Sequence, residues 1–240
     1  MRLDPVQMAR AIGIEPDEWQ QRLLRSKALR SLVCCSRQVG KSTTVATLAV
    51  HTAFYEENSL ILLLSPSMRQ SQELFRKCLD VYRALGRPIA PTAENALSLE
   101  LEQGSRIVSL PGNEAKIRGM SGVRLLIIDE ASRVVDGLYK SVRPMLAVSG
   151  GKLVVLSSPA GTRGFFYEAY KNRHNWDYFE VPATACSRIS AEFLAEEYEN
   201  MGEYFYNQEY LCKFNDAEQS AFRSEDIASI VSREVQTWSL

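Results

Sequence analysis

The chain has little of several things. Its longest uninterrupted apolar run, Leu60 to Leu64, is far short of the ~20 residues that span a bilayer, so no membrane span is expected. The opening Met1-Arg2-Leu3-Asp4-Pro5 lacks the apolar segment of a secretory signal. Net charge is nearly absent: 28 Lys and Arg against 29 Asp and Glu give −1. The surface as a whole is therefore no basic field for indiscriminate gripping of nucleic acid, although a local basic patch is compatible with that balance. Cysteines are few and odd in number, five in all (Cys34, Cys35, Cys78, Cys186, Cys212), without metal-ligand spacing, and are read as the reduced thiols of a cytosolic chain. Cys34 and Cys35 adjoin on one predicted strand, so they point to opposite faces and no ordinary disulfide between them is expected. The two histidines, His51 and His174, have no partner spacing for metal or acid–base work. There is no internal repeat and no low-complexity segment.

What is present is an ordinary soluble globular composition, 45% hydrophobic and 24% charged over 240 residues, enough for one domain or one domain with an appendage. Between residues 30 and 160 short apolar runs alternate with helical patterns, the signature of an α/β fold whose central, mostly parallel sheet is flanked by helices. Leu32–Cys35, Leu60–Leu64, Leu125–Ile128 and Leu153–Leu156 read as buried strands, with helices over about 42–55 and 67–85. The alternation Leu97, Leu99, Leu101, then Gln103-Gly104, then Ile107 to Leu110 predicts an antiparallel hairpin at the sheet edge. Phe165, Phe166 and Tyr170, and likewise Phe205, Tyr206 and Tyr210, fall at helical spacing and are expected in the core or at a subunit interface. Beyond Pro182 the pattern turns polar and aromatic, with helices over about 191–200, 203–212 and 225–231. Residues 1–182 are thus expected to form the core and 183–240 a small helical subdomain, with Trp238 near a frayed end.

Ser36-Arg37-Gln38-Val39-Gly40-Lys41-Ser42-Thr43 lies between a predicted strand and a predicted helix. In that context backbone N–H groups can surround phosphates, Lys41 can reach the β and γ phosphates, and the Ser42 hydroxyl can ligate Mg²⁺. Cys35 stands where the usual motif has its first glycine. Leu125-Leu126-Ile127-Ile128-Asp129-Glu130 places two acids at the carboxyl end of a buried strand, expected beside the phosphate loop. Asp129 there suits Mg²⁺ held through its water shell, and Glu130 suits orienting and polarising an attacking water. Ser157-Ser158-Pro159 closes another strand on the same edge, within reach of a γ-phosphate. Trp19-Gln20 precedes the loop on a predicted helix, and a glutamine amide can both donate to and accept from an adenine edge.

Together with Ile117-Arg118-Gly119 and Gln208-Glu209-Tyr210-Leu211, these segments resemble the ATPase half of the large terminase subunit, the DNA-packaging motor of tailed bacteriophages and herpesviruses. The resemblance runs over about residues 15–215, and its most specific part is the loop with Arg37 and without the first glycine. It implies that Gln20 reads adenine and that Arg37, Lys41, Ser42 and Thr43 contact phosphates and metal. It implies that Asp129 and Glu130 are the metal-site acid and the catalytic carboxylate, and that Ser157, Ser158 and Pro159 couple hydrolysis to movement. Arg118 matches an arginine supplied in trans to a neighbouring subunit's ATP, a role for which Arg124 and Arg133 compete. The cofactors implied are ATP and Mg²⁺. The implied partners are double-stranded DNA, a ring of five copies on a capsid portal and a small recognition subunit, all in the cytoplasm of an infected bacterial host. Arg83, Arg87, Arg106 and Lys116, around the hairpin, are the candidate DNA contacts. Family members carry a nuclease domain after the ATPase, and this sequence stops at Leu240 before such a region, so an isolated ATPase domain, in preference to a naturally short relative, is expected, without DNA cleavage.

Rival readings are a helicase-like ATPase, a small-molecule kinase and a non-hydrolysing ATP-binding assembly module. Asp129-Glu130-Ala131-Ser132 is one residue from the Asp-Glu-Ala-Asp of one helicase family, but the tail beyond Pro182 is too short for a second motor domain. A kinase usually keeps the first glycine and needs an acceptor pocket, for which there is no motif. The intact Lys41 and Glu130 argue against a scaffold.

Overall fold

The computed structural model describes residues 4–111 and 120–215. Among these residues eight strands form one sheet in the order β3-β4-β5-β2-β6-β7-β1-β8. Its centre is made of the aliphatic runs: β1 (Arg30–Cys35), β2 (Leu60–Ser65), β6 (Val123–Asp129) and β7 (Lys152–Ser157), paired in parallel. They are apolar on both faces because helices cover both. Val33, Ile61, Ile127 and Val154 face α1 (Pro5–Ala11), α2 (Glu18–Arg25), α3 (Lys41–Tyr55) and α4 (Met68–Ala84). Leu32, Leu62, Ile128 and Val155 face α5 (Asp136–Val142) and α6 (Phe165–Lys171), where Phe165 and Phe166 are buried. Cys34 and Cys35 fall in these two opposite layers, and the five cysteines are free and buried. No helix among the described residues is long and apolar enough to cross a membrane.

The expected hairpin is β4 (Ser98–Leu101) with β5 (Arg106–Pro111), antiparallel, and β5 joins the sheet by pairing parallel with β2. A further short strand, β3 (Pro91–Glu94), extends this edge. At the other edge β8 (Asp177–Val181) is an addition to the sequence reading. It pairs parallel with β1, which makes the strand before the phosphate loop an interior one. Its signal is a one-sided alternation, Phe179 and Val181 inward, that its acidic and tyrosyl outer face disguises.

Two helices follow as expected: α7 (Ala191–Tyr210) is interrupted at Gly202, whose φ of 75° and ψ of 165° end one helical segment and begin the next. Only Leu194 of α7 is buried, while Cys186 and Cys212 join the two cores of the sheet. Phe205, by contrast, is exposed. Ile117-Arg118-Gly119, Lys116, the helix expected near 225–231 and Trp238 lie outside the described residues.

Gly151, just before β7, marks where the chain comes closest to β6. A Cβ there would collide with the Val123 carbonyl oxygen, which belongs to a strand and cannot move aside. Gly151→Ala is therefore expected to destabilise the domain by about 1–3 kcal/mol, measured as a lower midpoint in urea unfolding with an unchanged slope.

Candidate nucleotide site

The loop between β1 and α3 places its conformational demands on two residues. Gln38 and Gly40 have positive φ, 60° and 87°, and Gly40 meets a second constraint, since a Cβ there would lie 2.7 Å from Gln20 Nε2. Cys35, at the first-glycine position, is the last residue of β1 and is not among the positive-φ residues. A side chain is tolerated there because it turns inward, with Sγ 3.8 Å from the Ser157 carbonyl oxygen. Burial pushes the Cys35 thiol up to about 12, so it remains neutral. Val39 is fully buried and anchors the loop.

Gln20 also serves the loop. Its Nε2 donates to Thr44 Oγ1 at 2.9 Å and towards the Gly40 carbonyl at 3.5 Å, while its Oε1 accepts from the Asp17 backbone N–H at 2.8 Å. Contact with an adenine edge would require this buried amide to turn away from Thr44. Trp19 packs against the core beneath it.

The acids arrive from β6, which is not the neighbour of β1: β7 lies between them. The two strands nevertheless end on the same sheet edge, and the side chains meet across the gap. Lys41, only 8% exposed, has Nζ 3.0 Å from Glu130 Oε1. Burial opposes the ammonium charge, yet the nearby acids Glu130 and Asp129 favour it and the Lys41 pKa is raised. The Ser42 hydroxyl donates to Asp129 Oδ2 at 3.3 Å. Glu130 takes a left-handed conformation, φ 50°, and its backbone N–H donates to Asp129 Oδ1 at 3.0 Å, so the strand turns sharply and directs two consecutive acids to different partners. Ser157, at the end of β7, sits 2.7 Å from Ser132 Oγ and accepts from the Ser132 N–H at 3.2 Å, which ties the intervening strand to the acid turn. Ser158 and Pro159 are buried beside it.

Asp129 is 7% exposed, and burial pushes its carboxyl up to about 6 even though Lys41 pulls it down. Among the described residues no cluster of three or more His, Cys, Asp or Glu exists to hold a metal. A hydroxyl and one carboxylate 3.3 Å apart, with space for water, nevertheless fit Mg²⁺, which keeps much of its hydration and takes hard oxygen donors.

A cleft of 560 Å³ opens over Gly40, Lys41, Ser42, Thr43 and Glu130, and Gln70 and Lys77 of α4 and Arg133 line it as well. A second cleft of 480 Å³ shares Arg37 and Gln38 with the first and continues to Arg188, Ile189, Phe193, Met201 and Tyr210. Arg37 forms an ion pair with Glu209 at 2.6 Å, and its N–H donates to the Glu209 carbonyl at 3.3 Å. Arg188 pairs with Asp17 at 2.7 Å and reaches the Val39 carbonyl at 3.4 Å. Gln70, Lys77 and Arg188 carried no sequence signal, since each reads as an ordinary solvated polar residue. Arg124, a competitor of Arg118, is the second residue of β6, at the far end from Glu130, and is ion-paired with Glu56, which removes it from the nucleotide edge.

A parallel sheet on which a Gly-Lys-Ser loop and an acid-terminated strand converge at one edge is a P-loop nucleotide-binding fold. Within that class, residues 32–229 match the family model described as terminase large subunit, T4likevirus-type, N-terminal, and the chain belongs to that family. The large terminase subunit of Thermus phage G20c is 27% identical over 179 residues, which is 66% of this chain and 36% of that protein. The chain thus spans about a third of the length of the curated relatives it matches. Among solved structures, the large terminase ATPase domain of Thermus phage P74-26 superposes with a TM-score of 0.79 at 20% identity, covering 89% of this chain and 100% of that one. A large terminase from a thermophilic bacteriophage, solved in complex with ADP, gives 0.69 at 13% identity over 82% of this chain and 53% of its own. The fold is shared with both.

The raised Asp129 value has a definite sign in stability. Its folded-state pKa, about 6, lies above the ordinary 3.8, so the contribution is complete below pH ~4 and is lost as pH rises through about 6. At 1.36 kcal/mol per unit the loss is up to about 3 kcal/mol. Asp129→Asn is expected to raise the melting temperature at pH 7.5 without divalent metal, and the gain should vanish towards pH 4. A gain independent of pH would mean that Asp129 does not titrate in this range.

Proposed function

We propose that this domain binds ATP with Mg²⁺ in the 560 Å³ cleft and hydrolyses it, and that within a large terminase the hydrolysis moves double-stranded DNA through a portal into a capsid. The observation that carries this reading is the Lys41–Glu130 pair at 3.0 Å beside the Ser42–Asp129 contact at 3.3 Å. A γ-phosphate entering the cleft competes for the Lys41 ammonium and releases Glu130, which is then free to orient an attacking water. Loop N–H groups at the start of α3 receive the phosphates, and Thr43 and Gln38 line their path. Ser42 and Asp129 would hold Mg²⁺, which neutralises charge on the phosphate oxygens when bound.

The second cleft, with Ile189, Phe193 and Tyr210, supplies an apolar wall for the base. Arg37 exchanges Glu209 for phosphate, which would loosen α7 from the loop, so residues after Pro182 act as a helical lid. Ser157, bonded to the acid turn through Ser132, carries the state of the cleft into β7, with Ser158 and Pro159 following it. In this reading Arg118 acts on a neighbour's ATP, five copies assemble on the portal with the small subunit, and the work is done in the host cytoplasm.

The test is ATP hydrolysis per subunit over a wide range of protein concentration. The rate per subunit should climb with concentration, and Lys41→Ala should abolish it. Glu130→Gln should retain ATP binding and lose turnover by at least about 10²-fold. Retained turnover in Glu130→Gln would falsify the assignment of Glu130, and a flat, non-zero rate would sink the arginine in trans.

A further inference from the structure

The three described arginines expected to grip DNA each have an acid in place. Arg83 and Arg87 both pair with Glu94, the latter at 3.7 Å, and Arg106 stands opposite Glu100 on the β4–β5 ladder. A different corner of the molecule exposes basic side chains, of which two have no acid against them among the described residues. Between α6 and β8, residues 171–175 read Lys-Asn-Arg-His-Asn and are exposed throughout, with three basic side chains, two amides and no acid.

Aromatic rings hold this corner in shape. The Arg173 guanidinium lies 4.7 Å from the Tyr170 ring centroid and 5.8 Å from that of Tyr178, and its Nη1 donates to the Tyr170 carbonyl at 3.2 Å. Lys171 Nζ is 5.1 Å from the Tyr167 ring. Lys171, Arg173, His174, Trp176 and Tyr178 together line a shallow concavity of 510 Å³. Of the nearby acids, Asp177 is ion-paired with Arg22 at 2.5 Å and Glu168 with Lys171 at 2.7 Å, and Glu180 accepts from the Tyr178 hydroxyl at 2.6 Å. Arg173 and His174 have no acidic partner among the described residues.

The rest of the surface sharpens this placement. Helix α7 carries Glu192, Glu196, Glu197, Glu199, Glu203 and Glu209 and not one Lys or Arg. A chain whose total charge is −1 thus gathers acid on the helix beside the nucleotide cleft and leaves Arg173 and His174 exposed away from it. Because β8 runs parallel to β1, its start lies at the sheet end opposite the phosphate loop. A polyanion here would not compete with ATP for the same cations.

The geometry points to the α6–β8 corner, residues 171–176, as a contact surface for the phosphate backbone of duplex DNA. Arginine, lysine, imidazole and two amides offer donors of the kind that phosphate oxygens accept, without a base-reading element, so contact is sequence-independent. The choice of duplex DNA rests on the packaging reading above.

The experiment is fluorescence polarisation of a labelled random-sequence duplex with the full chain over a series of salt concentrations. Arg173→Ala with His174→Ala should weaken binding by about tenfold or more and flatten the salt dependence by one to two phosphate contacts, at about 0.9 per contact. Arg173→Lys should restore most of the loss. Asn175→Asp, which leaves the ring contacts intact, should weaken binding with no change in melting temperature. Arg83→Ala with Arg87→Ala should leave affinity within about twofold. The proposal is overturned by unchanged affinity in the Arg173 and Asn175 variants, by absence of duplex binding in the wild type, or by polyglutamate displacing duplex at equal charge concentration. ATP turnover is measured on the same samples, so loss of the DNA surface and loss of the nucleotide reading give different results.

Discussion

A lysine ammonium taken out of water must meet negative charge, and the buried Lys41 sets that demand at the first turn of α3. Glu130 meets it at 3.0 Å, which requires β6 to end at the same sheet edge as β1 although β7 lies between them. The Ser157–Ser132 contact holds β7 at the acid turn and so helps to set the spacing. Strand order, the left-handed turn at Glu130 and the closeness of Ser42 to Asp129 are all consistent with this one pairing. Without phosphate Lys41 rests on Glu130, while burial raises the pKa of the neighbouring Asp129.

The loop is also held from outside the sheet. Arg188 bridges to Asp17, 171 residues away in sequence, and touches the Val39 carbonyl, while Arg37 clasps Glu209 of α7. Gln20 braces Gly40 and Thr44 from α2. Three separate parts of the chain thus converge on the loop, and a ligand that draws Arg37 to itself takes it from Glu209, as one that draws Lys41 takes it from Glu130.

Charge is distributed with the same economy. Acid gathers on α7 beside the nucleotide edge, while Arg173 and His174 stand exposed at the α6–β8 corner at the other end of the sheet. A composition near neutrality conceals this, because counting charges over the whole chain averages out what the fold separates.

Local chemistry was enough to reveal the four aliphatic strands, the Gly-Lys-Ser loop, the Asp129-Glu130 end of β6 and the alternation of the hairpin. Each of these declares itself within a few neighbouring residues, through side-chain period, backbone freedom at glycine or the placement of acids after an apolar run. The fold class followed from their order along the chain. Folding alone decided that β8 flanks β1, that Cys35 tolerates the place of a glycine, that Gln20 spends its amide on the loop and that Arg37 rests on Glu209. It also decided which basic residues remain unpaired, leaving Arg173 without an acid while Arg83 and Arg87 share Glu94. These outcomes depend on partners brought together from distant parts of the chain, and a polar side chain read alone carries no mark of which partner it will meet.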